Sequence, residues 1–353
     1  MSKPFIKAKI VRIKQNTEDA ISFFFNKEDI TDSDFKSGQY LNFSILVDGK
    51  EERRAYSIFT APFENELGVT VKRVENGIVS NYLHDQFKEG DELNVSKPEG
   101  RFVLQPDGDL RRQHYFIAAG SGITPIMSMI QSALELEPQS ECILIYGNRE
   151  EKSIIFKNEL ASLNQKYAGQ LKMYHVLSQS SLGSWKGLKS RLTIDIVQEI
   201  MNETLNERLK QEYYLCGPSD IITLFDGHFR ANGIGSKQIN KEFFSSPKED
   251  SSKPKLEMQQ GSSIAEVILD GETIELEIPS GKTVLDAMID LKYDAPYSCM
   301  SGSCSTCIAK ITDGKVEMEE CYALDEDEIA EGLILTCQAK PTTASVNISY
   351  DVD

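Results

Sequence analysis

The sequence predicts three joined folds: a small antiparallel β-barrel, a doubly wound parallel α/β sheet, and an α+β module that carries a cysteine loop. Three observations predict them. Short alternating strands separated by turn residues fill the first hundred positions. Strands and helices then alternate from about Arg112 to Phe244. Finally, Cys299, Cys304 and Cys307 fall in the spacing C-x4-C-x2-C, and Cys337 follows on a separate segment. A chain of 353 residues accommodates two or three domains at about 100–200 residues each. The expected boundaries are 1–108 for the barrel, 109–245 for the parallel sheet, 246–262 for a linker and 263–353 for the cysteine module.

In the first region, stretches such as Ile6–Ile13 and Leu67–Val74 alternate apolar and polar residues, and Asp48-Gly49, Asn76-Gly77 and Glu89-Gly90 punctuate them. Many short strands with a single helix, around Ser80–Phe87, suggest a small barrel. Two features could carry chemistry. In Arg54-Ala55-Tyr56-Ser57, strand periodicity puts Arg54 and Tyr56 on one face and Ser57 on the other. Such a trio could neutralise a pyrophosphate, stack on a flat ring and donate to a ring nitrogen, or it could be an ordinary strand with a surface arginine. Gly77-Ile78-Val79-Ser80 opens the helix, with Ser80 expected as its cap, and its amides could hold an anion or simply start a helix.

The second region opens on the buried strand His114–Ala119, followed by Gly120-Ser121-Gly122-Ile123-Thr124-Pro125 and an apolar helix. Strand Cys142–Gly147, helix Phe156–Leu163, strand Leu171–Leu177, helix Thr193–Met201, strand Glu212–Cys216 and helix Ser219–Ala231 complete the alternation. The first strand-to-helix turn is where such sheets bind phosphate. The pattern here is G-x-G-x-x-P, with Pro125 where a first-turn proline is tolerated, and the standard dinucleotide fingerprint is not matched. Cys216-Gly217-Pro218 lies on the same carboxyl edge, so Cys216 is either a buried filler or part of a ligand pocket.

Ser245–Lys255 is rich in serine, proline and charge, with no apolar period, and reads as a linker. Beyond it come strands Ala265–Leu269 and Ile274–Ile278, helix Thr283–Leu291 and the cysteine loop. The spacing of that loop is the plant-type one in which four thiolates hold a 2Fe–2S cluster. Gly302 among small residues permits the tight turns, and loop amides can point at the sulfur atoms. Zinc usually asks for two C-x2-C pairs, and Cys299 and Cys337 lack such partners. Inert buried thiols are the remaining alternative.

Composition narrows the setting. No apolar run reaches the ~18 residues of a membrane helix, and Met1-Ser2-Lys3-Pro4 runs straight into a strand-like segment, so neither a membrane span nor a targeting peptide is expected. Seven cysteines without a secretory signal point to a reducing cytoplasm. The net charge of −17 is uneven: Ser262 to Asp353 holds 19 acidic and 5 basic residues. An acidic module would repel nucleic acid. It could serve solubility alone, or it could steer docking of a partner's basic patch.

In this order the pieces R-A-Y-S, G-I-V-S-N-Y-L-H, A-A-G-S-G-I-T-P, Y-G-N-R, L-C-G-P and C-x4-C-x2-C resemble the ferredoxin–NADP reductase superfamily with a plant-type ferredoxin fused behind it. Within that superfamily the chain is similar to reductase components of bacterial multicomponent oxygenases, above all those of the phenylacetyl-CoA epoxidase system in phenylacetate catabolism. The resemblance implies a β-grasp-like ferredoxin domain and the cofactors FAD, a 2Fe–2S cluster and NADPH, with NADH the lesser donor. It implies that Arg54, Ala55, Tyr56 and Ser57 hold the FAD pyrophosphate and ring. Val71 and Lys72 would line the ribityl chain, and Ile78, Val79 and Ser80 would cap the flavin phosphates. Glu242 and Phe244 fit the acidic and aromatic positions that end the nucleotide domain, so Phe244 would cover the ring where nicotinamide enters. Gly122, Ile123, Thr124 and Pro125 would meet the dinucleotide, with Cys216, Gly217 and Pro218 near its ring. Arg149 and Ser178 would read a 2′-phosphate, although Gln179 stands where the family often has arginine. Cys299 and Cys304 would bind one iron, Cys307 and Cys337 the other, and Cys321 would be a packed thiol.

The implied activity is a relay in which nicotinamide gives hydride to the flavin, whose electrons then leave singly through the cluster. No acid–base residue is required, so Tyr56, Ser57, Cys216 and Phe244 would only face the flavin, and the four histidines would be structural. The partner would be an oxygenase that docks on the acidic ferredoxin domain. The same relay could instead serve a Rieske ring hydroxylase, a desaturase, a di-iron hydroxylase or a steroid hydroxylase. A reading of another class is a redox-sensing module without turnover, against which the intact R-A-Y-S and nicotinamide loop argue.

Overall fold

A computed structural model describes residues 5–31, 35–179, 185, 187–245 and 261–352. They form two compact bodies, one of residues 5–52 with 56–244, the other built chiefly on 261–352. Apart from Gly261 and Ser262, the expected linker 246–262 lies outside the described residues. Among the described residues no helix is long and apolar enough to cross a membrane.

The first region runs β1 (Ile6–Lys9), β2 (Arg12–Thr17), β3 (Ala20–Asn26), β4 (Tyr40–Val47), β5 (Lys50–Ser57), β6 (Glu66–Lys72), α1 (Ile78–Gln86) and β7 (Glu92–Val95). It makes two antiparallel sheets, ordered β1-β7-β4-β5 and β2-β3-β6. Inward residues of both, among them Phe23, Phe25, Leu41, Phe43, Val69 and Val71, share one core. Phe25 meets Phe43 edge to face at 6.0 Å between ring centroids. Beyond β5, an isolated bridge pairs Ile58 with Val69 of β6. The expected barrel is therefore a pair of packed sheets, and the described strands do not close into one ring.

The second region runs β8 (Arg112–Ala119), α2 (Ile123–Leu136), β9 (Glu141–Asn148), α3 (Lys157–Lys166), β10 (Leu171–Leu177), α4 (Ile194–Thr204), β11 (Lys210–Pro218), α5 (Ser219–Ala231) and β12 (Ile239–Ser245). Its sheet order is β10-β9-β8-β11-β12, and β10, β9, β8 and β11 pair in parallel. This is a doubly wound sheet whose order reverses beside β8, the crevice where such folds bind ligands. All eight residues of β8 are buried, as a central parallel strand requires. At the opposite edge, Arg112 pairs with Glu137 and, at 3.2 Å, with Glu212. His114 Nε2 lies 2.9 Å from Glu137, and Ser140 Oγ donates to the same carboxylate at 2.7 Å. Burial raises the Glu137 carboxyl, but hydrogen bonds from His114 and Arg112 more than offset it and hold it at about 2.

The third region runs β13 (Ser263–Leu269), β14 (Glu272–Ile278), α6 (Val284–Asp290), β15 (Ile308–Asp313), β16 (Val316–Met318), α7 (Glu326–Ala330), β17 (Leu333–Leu335), β18 (Ala339–Pro341) and β19 (Ser345–Ser349). The larger sheet is ordered β14-β13-β19-β15-β17, and β16 pairs with β18. Thr283 accepts from the Asp286 amide, and the Asp286 side chain answers the Thr283 amide, so a reciprocal cap starts α6 where the apolar run begins. Val284, Leu285, Ala287 and Met288 of α6 pack on the sheet with Cys307 and Cys337 in one core.

Candidate flavin, dinucleotide and iron–sulfur sites

Strand β5 carries Arg54, Ala55, Tyr56 and Ser57. The Arg54 guanidinium is half-buried and donates to the Arg53 carbonyl at 2.7 Å. The Tyr56 ring packs on Phe43 at 5.1 Å, which fixes its plane. Ser57 is buried and hydrogen-bonds the Glu242 side chain. Burial pushes that carboxyl up to about 8, the serine hydroxyl pulling the other way. Glu242 also stands close enough to Cys216 to raise its thiol further, beyond the effect of burial alone. Ser57, Cys216 and Glu242 thus converge from three strands, β5, β11 and β12. The Glu242 Oε2 atom is buried with no hydrogen-bond partner, and Phe244, two residues on, is 38% exposed. An orphaned carboxyl oxygen, two buried polar side chains and an uncovered aromatic ring suit a flat heterocycle with hydrogen-bonding edges.

The remaining flavin candidates divide by what they can offer. Val71 and Val79 point into the core, so only their backbone is available, whereas Ile78 is 57% exposed. Lys72 sits at the end of β6 beside Asp19 at 3.4 Å. Helix α1 begins at Ile78 with Gly77 as its N-cap, one difference from the sequence reading. Ser80 lies inside the first turn and accepts from the Val74 amide at 3.1 Å, closing the loop that leads into the helix. A Cβ at Gly77 would stand 2.7 Å from Ser80 Oγ and 2.9 Å from Val74 Cβ, which is why glycine occupies the cap. With no side chain capping them, the first-turn amides of α1 are available to an anion.

In the dinucleotide crevice, Gly120–Gly122 makes one tight turn between β8 and α2, and Thr124 Oγ1 donates back to Ser121 at 3.0 Å. Pro125 is the third residue of α2, within the turn where its missing N–H costs nothing. Gly122 packs so closely on β11 that a Cβ would stand 2.1 Å from the Cys216 carbonyl oxygen. Gly122→Ala should therefore push the β8–α2 turn away from the end of β11. It is expected to raise the Michaelis constant for the dinucleotide about tenfold or more while leaving flavin content unchanged, since displacements of this size cost one to two orders of magnitude. Steady-state kinetics and the flavin absorbance of the purified variant check both. Arg149 and Ser178 follow β9 and β10 and are exposed. The Ser178 amide donates to Asn148 at 3.0 Å and the Gln179 amide to Arg149 at 2.7 Å, which holds the two loops side by side.

The cysteine loop gathers the four thiols. Cys307 and Cys337 are buried, while Cys299 and Cys304 are partly exposed. Cys299 Sγ accepts from the Ser301 and Cys304 amides, each at 3.4 Å. Hydrogen bonds from the Cys304 and Cys337 thiols hold the Cys299 thiol far below its ordinary value and raise their own. Cys307 shares the same Cys337 contact and is lowered. A common contact among four sulfurs, with amides aimed at one of them, fits a small thiolate-held cluster better than four separate thiols. Gly302 has φ +72°, and a Cβ there would stand 2.3 Å from the Glu320 carbonyl, so this turn requires glycine. The Ser298 hydroxyl beside Cys299 is buried with no partner, one more donor free for such a group. Cys321 packs against the domain core, and burial raises its thiol to about 11. The expectation of a packed thiol matches this geometry.

Comparison with known proteins follows the same three parts. Family models match for an oxidoreductase FAD-binding domain over residues 7–104, an oxidoreductase NAD-binding domain over 116–226 and a 2Fe-2S iron-sulfur cluster binding domain over 267–342. The chain is 34% identical to one of the subunits of the 1,2-phenylacetyl-CoA epoxidase of Escherichia coli (strain K12), over 97% of this chain and 96% of that one. It is also 34% identical to the ferredoxin reductase component of 3-ketosteroid-9-alpha-monooxygenase of Rhodococcus rhodochrous, over 90% and 88% of the two chains. In fold it is similar to phthalate dioxygenase reductase, with 24% identity, 98% coverage of both chains and a TM-score of 0.60. The chain therefore belongs to the ferredoxin–NADP reductase superfamily with a fused 2Fe–2S domain, as an electron-transferring reductase component of multicomponent oxygenases.

Proposed function

We propose that this protein takes electrons from NADPH and delivers them, through FAD and the cluster, to an oxygenase of the phenylacetyl-CoA epoxidase type in the cytoplasm. The observation that carries the reading is the 34% identity to the Escherichia coli epoxidase component along nearly the full length of both chains. A steroid-monooxygenase reductase reaches the same identity over less of the chain, so a steroid hydroxylase is the rival acceptor.

The chain's own residues bind and orient. Bound FAD would turn a two-electron donor into single electrons, and the cluster would accept them one at a time. Arg54 would meet the FAD pyrophosphate, Tyr56 and Phe244 would sandwich the ring, and the amides of Ile78, Val79 and Ser80 would face its phosphates. Ser57 and the protonated Glu242 would supply hydrogen bonds at the ring edge, in a pocket that excludes water. Val71 and Lys72 would run along the ribityl chain. Gly122 to Pro125 and Cys216 to Pro218 would hold the nicotinamide half of the donor, and Arg149 with Ser178 its 2′-phosphate. Cys299, Cys304, Cys307 and Cys337 would be the cluster ligands, and Ser298 would donate to their sulfur shell.

The acidic ferredoxin module would guide docking by its charge. The test is turnover of the reduced chain with purified epoxidase component plus phenylacetyl-CoA, and separately with a steroid oxygenase. Coupled product with the first alone is expected. Its rate should fall severalfold between ~0.05 and ~0.5 M salt, because the Debye length shrinks over that range. Product only with the steroid oxygenase would transfer the assignment, and a flat salt profile would remove charge from the docking.

A further inference from the structure

Helix α2 is apolar along most of its length, and Ser128, Gln131 and Ser132 interrupt that pattern at i, i+3 and i+4, which puts them on one face. That face meets the first region. Ser128 is fully buried, and its Oγ donates to the Thr60 carbonyl at 2.7 Å. Gln131 Nε2 donates to the Phe59 carbonyl at 2.8 Å. Ser132 Oγ lies 2.6 Å from Ser37 Oγ. Beside them Met129 fills the space that Gly38 leaves, where a Cβ would stand 2.3 Å from Met129 Cε. A buried helix could meet these neighbours with apolar side chains alone. Two donors aimed at successive carbonyls fix the register of the contact as well, since satisfied polar groups in a core admit one arrangement.

The two sides of this seam belong to different candidate sites. Phe59 and Thr60 follow β5 directly, just beyond Tyr56 and Ser57 of the flavin strand. The Phe59 ring stands 4.6 Å from Phe156 and 5.5 Å, edge on, from Phe24, and a Cβ at Gly68 would strike it at 2.7 Å. The segment behind Ser57 is thereby locked in place. On the other side, α2 leaves the Gly120–Gly122 turn at Ile123. At about 1.5 Å of rise per residue, Ser128 and Gln131 stand roughly 8 and 12 Å along the helix from that turn. One rigid helix therefore joins the nicotinamide turn to the backbone behind the flavin strand. Hydride transfer needs the reacting atoms roughly 3–3.5 Å apart and aligned, and groups held that closely depend on the hydrogen bonds behind them. We infer that Ser128 and Gln131 are positioning residues for hydride transfer, setting the separation of the flavin strand and the nicotinamide turn through the Phe59 and Thr60 carbonyls. This rests on the flavin and dinucleotide readings above and adds the residues that register one against the other.

The experiment is anaerobic stopped-flow reduction of the full holoprotein by NADPH, and by NADPH deuterated at the transferred position. Gln131→Met keeps the length of the side chain without its donor, and Ser128→Ala removes one hydroxyl, so both nearly conserve volume. The double variant is expected to lower the limiting rate of flavin reduction about tenfold, with a primary isotope effect on the slowed step. Its flavin content and its dissociation constant for NADPH should stay within about twofold of wild type. Gln131→Met alone, at a half-buried position, should lower the rate about threefold and serves if the double variant does not fold. Ser132→Ala removes a buried hydrogen bond of the same helix, but one that leads to Ser37, and should leave the rate within about twofold. A wild-type rate in Gln131→Met and in the double variant overturns the inference. So does an equal loss in Ser132→Ala, because general loosening of α2 then accounts for both. Wild-type flavin that neither NADPH nor NADH reduces overturns the relay reading, and the inference with it.

Discussion

Replacing Cys304 with serine is expected to cut electron delivery to a protein acceptor by more than about 100-fold, while ferricyanide reduction with NADPH stays within about twofold of wild type. Loss of groups that merely support a metal ligand already costs about 10–100-fold, so loss of a ligand should cost more. Cys304 sits in the loop with its amide donating to Cys299 Sγ at 3.4 Å, and no thiol stands ready in its place, since Cys321 is packed and raised to about 11. Apart from Arg54 and Ala55, the flavin and dinucleotide candidates lie in the other compact body, which has cores of its own, so their activity should survive. Cytochrome c and ferricyanide assays on one preparation separate the two outcomes. Equal loss of both would contradict the division of labour between the bodies.

The second large effect concerns stability. Glu137 has a fully buried side chain, and Arg112 and His114 depend on it for compensation. Glu137→Gln removes the negative member of this network and leaves the Arg112 charge short of a partner. Breaking a buried pair from one side costs about 3–5 kcal/mol. For a unit of this size that corresponds to roughly 10 °C in the thermal midpoint. The pH dependence follows from the direction of the shift. The folded carboxyl is held at about 2, below its ordinary 4.5, so its contribution is fully present above about 4.5 and is lost as pH falls through about 2. Wild type and variant should therefore differ most near neutrality and converge in acid. Thermal melts by circular dichroism at several pH values measure this. A gap that persists unchanged down to the lowest pH would show that packing, not charge, is what Glu137 supplies.

Some elements could be read from the sequence to the residue. Leu171–Leu177 and Ser219–Ala231 coincide with β10 and α5 because each is bounded by turn or capping chemistry and carries a clear period. Others extended further than their apolar stretch, as α2 does from Ile123 to Leu136, since burial on both flanks admits serine and threonine. Strands β16, β17 and β18 are three residues each, too short for any period to register. The cysteine loop was legible because four thiols must meet at one place, a constraint that spacing alone expresses. The Glu137 network was not: an acidic residue just after a helix reads as solvated, and only the fold shows it enclosed by His114, Arg112 and Ser140.

The central claim, that reducing equivalents cross from the dinucleotide through the flavin into the iron–sulfur module, is tested most directly by one anaerobic titration. NADPH is added to the holoprotein while flavin absorbance and the low-temperature paramagnetic signal of reduced iron are recorded together. Bleaching of the flavin accompanied by a reduced-cluster signal of about one spin per chain is expected, as for a single 2Fe–2S centre. Flavin bleaching with no iron signal in the wild-type protein, under full cluster occupancy, would contradict it.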